Sequence, residues 1–145
     1  MAVRRPIVVL HYVERAVAFH RAAGDLMELD QQGYSAAIGL LSVHGCIALA
    51  DAIEAAVQPS LAKHENHDHA AHQLRDWCSS TGLDSSGLKY LDWLLKRKNR
   101  FSYDDDRVDP GELQTAKVKM DQFFAWAFRN FPEVAQLRED ANGTA

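Results

Sequence analysis

Residues 34–57 read YSAAIGLLSVHGCIALADAIEAAV, and this stretch decides the fold class. Its apolar residues recur every three or four positions, from Tyr34 through Leu41 to Ala56, which is the period of an amphipathic helix. Alanine and glycine occupy several faces of that helix. We therefore expect close neighbours on more than one side and place a helix of about 35 Å at the centre of the fold.

The same period predicts four more helices, and no β-branched alternation follows residue 9. Their predicted bounds are about Val13 to Leu29, closed by Gly33; Asp68 to Ser80; from the caps Asp84, Ser85 and Ser86 to the basic residues 96–100; and from Asp109 and Pro110 to Phe131. The sequence therefore predicts an all-α protein, an antiparallel up-and-down bundle of four to five helices. We expect a single domain over residues 1–145, with 1–10 and 138–145 flexible.

Composition narrows the class of protein. The chain has 145 residues, 47% of them hydrophobic and 25% charged, which excludes disorder over its whole length. The net charge of −4 means that any contact with nucleic acid must use a local basic patch.

No apolar run approaches the roughly 20 residues of a membrane span, and Ile7 to Leu10 is too short for a signal peptide. We expect a cytoplasmic protein with no membrane contact, in which Cys46 and Cys78 are buried thiols.

Several enzyme classes lack their motifs here. The sequence has no glycine-rich phosphate loop, no G-x-S-x-G, no H-E-x-x-H and no C-x-x-C. No pair of carboxylates stands out as an acid/base couple, and we expect no cofactor. Asp92, which lies near Lys89 and Lys96, is expected to form a surface ion pair.

Histidines form one candidate metal site. His64, His67, His69 and His72 fall within nine residues, and imidazoles at this spacing can bind zinc, nickel or iron. The alternative is a solvated loop and helix start. His20 and His44 lie on or beside apolar stripes, which predicts either hydrogen-bonded core histidines or side chains that line a functional cavity.

A basic segment is the most informative motif. Lys96, Arg97, Lys98 and Arg100 surround Asn99, and Tyr103 follows within one helical turn of Asn99. Cations beside an aromatic ring suit phosphate contact and base stacking. The alternative is a helix C-terminus with its usual cations, followed by the acidic loop 104–106.

From about Ala16 to Phe131 the chain resembles the HEPN domain, the helical partner of prokaryotic nucleotidyltransferases. The resemblance rests on residues 34–38 with His44 and 50–52, on residues 67–69 with Leu74, and above all on residues 94–103. It implies a homodimer that brings two basic segments into one cleft. It also implies RNA or a nucleotidyltransferase as partner, as in toxin–antitoxin pairs.

The chain departs from the catalytic motif of HEPN ribonucleases, an arginine followed after four to six residues by a histidine. Lys98 stands in the arginine position, Asn99 fits, and Tyr103 stands in the histidine position. Tyrosine is a poor base at pH 7, and lysine lacks the planar fork of arginine. The resemblance thus implies weak or absent ribonuclease activity.

Three functions follow as expectations. The first is a dimeric binding or regulatory partner of a nucleotidyltransferase or RNA, which contacts phosphate through Lys96, Arg97, Lys98 and Arg100. The second is a metal-independent endoribonuclease of the toxin type, which uses Lys98, Asn99 and Tyr103. The third is a helical bundle that binds metal through His64, His67, His69 and His72.

Overall fold

The structure is a computed structural model that describes residues 4–57, 67–103 and 108–143. It contains seven helices in the described chain, with these bounds: α1 Arg4–Asp30, α2 Ser35–Val57, α3 His67–Thr81, α4 Leu88–Leu95, α5 Lys98–Tyr103, α6 Pro110–Asn130 and α7 Pro132–Gly143. The described residues contain no strand, so the predicted all-α class is confirmed.

The helix count exceeds the predicted four to five for two local reasons. The predicted fourth helix is divided into α4 and α5, because the backbone turns at Lys96 and Arg97 between them. The predicted fifth helix ends at Asn130. Phe131 has φ −125° and ψ 83°, and Pro132 opens α7, where its missing N–H costs nothing.

Helix α2 lies at the centre, as predicted. It contacts α1 and α6 most extensively and also α3, α4, α5 and α7. Glycines let two neighbours approach closely. A Cβ at Gly39 would lie 2.2 Å from Leu113 of α6, and a Cβ at Gly45 would lie 3.2 Å from Met120 of α6 and 3.3 Å from Phe19 of α1.

The expectation that no apolar stretch is long enough to span a membrane is corrected at α2. By length and composition alone, α2 could cross a membrane. Two thirds of its most apolar stretch is buried inside the fold. Burial on nearly every face accounts for its composition, because a helix enclosed by other helices needs no polar side.

The described helices extend further towards both ends of the chain than the predicted bounds. Helix α1 begins at Arg4 rather than near Val13, and Val9 is only 3% exposed. Helix α7 continues to Gly143, and its Val134 is fully buried. Burial of Val9 and Val134 attaches α1 and α7 to the core.

The N-cap of α6 is the predicted residue, whereas the N-cap of α4 is not. The Asp109 carboxylate accepts a hydrogen bond from the Gly111 N–H at 3.2 Å, and Pro110 follows it as predicted. At α4 the cap residue is Gly87, with no side-chain cap. Asp84 instead accepts from the backbone N–H of Ser86 at 2.9 Å, within the loop before the helix.

Candidate nucleic-acid interface

The basic segment folds back onto α6. Arg97 Nε donates to Glu112 Oε1 at 3.0 Å, and Arg100 Nη2 donates to Glu112 Oε2 at 2.8 Å. Glu112 lies in the first turn of α6, where a carboxylate also interacts favourably with the helix dipole. Two of the four cations predicted to contact phosphate are therefore held by this carboxylate, and Lys96 remains exposed beside them.

Arg97 is also stacked on an aromatic ring. Its guanidinium carbon lies 3.8 Å from the centre of the Trp93 ring, and its Nη1 donates to the Trp93 carbonyl at 3.0 Å. These contacts and the Glu112 bond fix the guanidinium plane. A fixed guanidinium plane can itself stack against a nucleic-acid base.

A second aromatic ring lies on the same face. Lys89 Nζ is 5.2 Å from the centre of the Tyr90 ring, and Lys119 Nζ of α6 is 5.5 Å from it and 5.9 Å from the centre of the Trp93 ring. Both rings are half-buried. Cations thus border each ring at cation–π distance.

These residues form one surface, which we call the basic–aromatic face: Lys89, Tyr90, Trp93, Lys96, Arg97 and Lys119. A groove of about 380 Å³ on this face is lined by Lys89, Asp92, Trp93, Lys96 and Arg97. Its carboxylate, Asp92, is bonded to Arg75 of α3, which confirms the surface ion pair predicted for Asp92. The groove is therefore lined by three cations and one carboxylate, of which Arg97 is paired with Glu112 and Asp92 with Arg75.

Sequence reasoning missed four of the six residues of this face. It selected Lys96 and Arg97 but not Lys89, Tyr90, Trp93 or Lys119. The signal was present in residues 89–97, where cations and aromatic residues recur at 89, 90, 93, 96 and 97, the spacing of one side of a helix. The contribution of Lys119 depends on how α6 packs against α4, which no local spacing shows.

The predicted catalytic residues lie at the other end of the basic segment. Lys98 and Asn99 begin α5, and Asn99 is exposed. For Tyr103 the structure describes the helical backbone alone, so its side chain lies outside the described residues.

A histidine of α2, His44, is close enough to Lys98 for the lysine charge to act on it. Helix α5 packs against α2, where His44 is half-buried. Burial lowers the pKa of His44, and the nearby Lys98 charge lowers it further. Both effects favour the neutral form of the imidazole.

The predicted metal site falls largely outside the described chain. His64 is not among the described residues, and for His67 and His69 only the helical backbone is described. His72 is exposed on α3. Among described residues no group of three or more metal-binding side chains occurs.

His20 lies at the surface rather than in the core. Its Nε2 is 2.9 Å from Asp121 Oδ1, and its ring stacks on Phe124 with centroids 4.7 Å apart. It lines an open groove between α1, α6 and α7. Of the two alternatives for His20, the structure matches the side chain that lines a cavity.

A pair of carboxylates was also missed. Asp51 and Glu54 lie one turn apart on α2, and Glu54 is 1% exposed. Burial raises the pKa of Asp51 to about 6, partly opposed by Arg15. Burial and the Asp51 charge raise the pKa of Glu54 to about 7. The sequence does not reveal this pair, because the burial of Glu54 comes from helices that pack around α2 and not from the local pattern.

Comparison with known proteins gives no match, whether with protein-family models, curated proteins or solved structures. The HEPN resemblance therefore rests on the sequence stretches quoted above.

Proposed function

We propose that this HEPN-like helical protein binds single-stranded RNA through its basic–aromatic face, with weak or no ribonuclease activity. The observation that carries the proposal is the groove beside Trp93, in which Lys89, Lys96 and Arg97 surround an aromatic ring. Single-strand binding sites combine cations that contact the backbone with flat surfaces on which bases stack. Both parts are present on the basic–aromatic face.

Charge supports RNA as the partner despite the net charge of −4. Asp92 is bonded to Arg75, and Glu112 is bonded to Arg97 and Arg100, so the carboxylates near the groove repel a phosphate less than free ones would. Lys96 and Lys89 are exposed and can meet phosphates directly. The stacked Arg97 offers a rigid plane for a base.

The family resemblance adds two parts to the proposal. One is a homodimer that joins two basic segments, and the other is a nucleotidyltransferase as a protein partner. A dimer would place two basic–aromatic faces in one particle and raise affinity for a strand long enough to reach both. Light scattering of the purified protein tests the dimer, since a monomeric mass would remove that part.

The binding test is a pair of substitutions in the groove. Removing two phosphate contacts with Lys89→Gln and Lys96→Gln should weaken binding to a labelled oligouridylate about tenfold at low salt. The slope of log affinity against log salt should also fall by about 1.4, since each contact to a single strand contributes ~0.7. Fluorescence anisotropy over a salt series measures both quantities.

A matched control distinguishes an effect of the basic–aromatic face from an effect of net charge. Arg15→Gln with Arg129→Gln likewise removes two positive charges, from exposed positions on α1 and α6 that lie outside both grooves. This control should keep the affinity and salt slope of the unchanged protein. Equal losses in the two double variants, or no RNA binding at low salt by the unchanged protein, would contradict the proposal.

A second candidate function is the metal-independent endoribonuclease, and His44 is the observation that favours it. A neutral imidazole can accept a proton, and Lys98 beside it can hold a phosphate. In this arrangement α2 supplies the histidine that the motif lacks, and Asn99 and Tyr103 lie on the same short helix as Lys98.

Cleavage of an RNA panel in EDTA decides between the two functions. Under the binding function we expect no cleavage above background. Cleavage that falls about 10²-fold in His44→Asn and in the Lys98→Ala/Tyr103→Ala double variant would establish the ribonuclease instead. Circular dichroism of each variant confirms that it is folded.

A further inference from the structure

The groove between α1, α6 and α7 is a second site, and it shares no residue with the basic–aromatic face. Its volume is about 550 Å³, which lies in the range of small-molecule sites in proteins. Side chains of three helices line it, among them His20 of α1, Phe124 and Phe128 of α6 and Arg138 of α7.

Flat rings form much of the groove. The His20 ring stacks on Phe124 with centroids 4.7 Å apart and an interplanar angle of 21°. Phe128 meets Phe124 edge-on, with centroids 5.8 Å apart. His20 and Phe128 are only half-buried, so part of each ring is exposed in the groove. A flat aromatic ligand matches such walls in both shape and quadrupole.

Two carboxylates line this groove, Asp121 and Glu139, and Asp121 is already paired. Asp121 receives the His20 hydrogen bond, and Lys117 Nζ lies 2.7 Å from each of its two oxygens. Burial alone would raise the pKa of Asp121, but the hydrogen bonds from His20 and Lys117 outweigh it and lower the pKa. Asp121 thus stays ionised and paired, which fixes the His20 ring and reduces repulsion of an anionic ligand.

Arg138 supplies a cation at the edge. Its guanidinium carbon lies 4.4 Å from the centre of the Phe128 ring. Glu139 and Arg21 also line the groove. In the described chain Arg138 forms no ion pair within bonding distance, so its N–H donors can take a carboxylate or phosphate in the bidentate manner.

We propose that this groove binds a small planar anion, an aromatic ring that carries one carboxylate or phosphate group. The ring packs between His20 and Phe128, and the acid pairs with Arg138. The two parts must belong to one ligand, because the ring walls and the guanidinium adjoin at Phe128.

Four probes separate the ring from the acid. Calorimetry should detect submillimolar binding of 2-naphthoate or of naphthyl phosphate, and the stronger of the two assigns the acid class. The neutral 2-naphthamide should bind at least tenfold more weakly, and acetate should not bind. Failure of both naphthyl anions to bind at millimolar concentration would overturn the proposal.

Variants locate the binding. Arg138→Gln should weaken binding of the naphthyl anion about tenfold and leave 2-naphthamide unchanged, whereas Phe128→Leu should weaken both. Arg129→Gln, which removes an exposed cation outside the groove, should change neither. Anion binding that is unaffected by Arg138→Gln would overturn the assignment. Lys96→Gln should retain anion binding. The proposals for the anion site and for the basic–aromatic face are therefore tested independently.

Discussion

Replacing Gly87 by alanine is expected to lower the free energy of unfolding by about 3 kcal/mol, the upper part of the usual range for an overpacked core. A Cβ at this position would lie 2.1 Å from Trp126 Cγ, 2.2 Å from Cδ2 and 2.6 Å from Cβ. Gly87 has φ −75°, which alanine adopts freely, so the whole effect is steric.

The Trp126 side chain has little freedom to move away. It is 2% exposed, and its Nε1 donates to the Asp84 carbonyl at 3.0 Å. Phe123 stacks with it at 5.7 Å between centroids, and Phe131 meets it edge-on at 5.6 Å. A shift of the indole would break the hydrogen bond that fixes the loop before α4 to α6, and would disturb both ring contacts.

Gly24→Ala is the matched control, with the opposite expected sign. Gly24 lies inside α1, and a Cβ there would meet no atom within 4 Å. Alanine is the better helix former, so this variant should be more stable by about 0.5–1 kcal/mol. Urea unfolding followed by circular dichroism compares the two. Shifts of the same sign would mean that the packing of Trp126 against Gly87 is not as described.

The fold class could be predicted because periodicity is local. Helix α2 combines a regular apolar stripe with small residues on its other faces, and both features are visible in residues 34–57. The pairing of Arg97 and Arg100 with Glu112 of α6, beside the break at residues 96 and 97, could not be predicted, because Glu112 belongs to another helix.

Of the two candidate sites, the sequence could predict part of one and none of the other. Spacing alone could select the cations of residues 96–100, since they are contiguous. The groove around His20 needs Asp121, 101 residues away, and Arg138 of a third helix. Such sites become visible only when the packing of helices is known, because their residues share no short-range pattern.

The stability of the protein should fall by about 3 kcal/mol as pH rises from about 4.5 to above 7, because of Glu54. Its pKa is raised from 4.5 to about 7 in the folded chain, by burial and by Asp51. Between these values the unfolded chain releases the proton while the folded chain still holds it. The stabilisation is therefore complete below pH 4.5 and is lost as pH passes 7. Asp51, whose pKa is raised to about 6, acts in the same direction.

Glu54→Gln should remove most of this dependence, since an amide of nearly the same shape never ionises. The variant should match the unchanged protein near pH 5 and exceed its stability at pH 8 by up to about 3 kcal/mol. Thermal or urea unfolding over that pH range measures the difference, with Glu28→Gln at an exposed position of α1 as control. If Glu54→Gln and Glu28→Gln ran parallel to the unchanged protein from pH 5 to pH 8, Glu54 would be ionised inside the fold at neutral pH. Glu54 would then be stabilised as an anion by charges or donors strong enough to offset its burial, which would contradict the raised pKa.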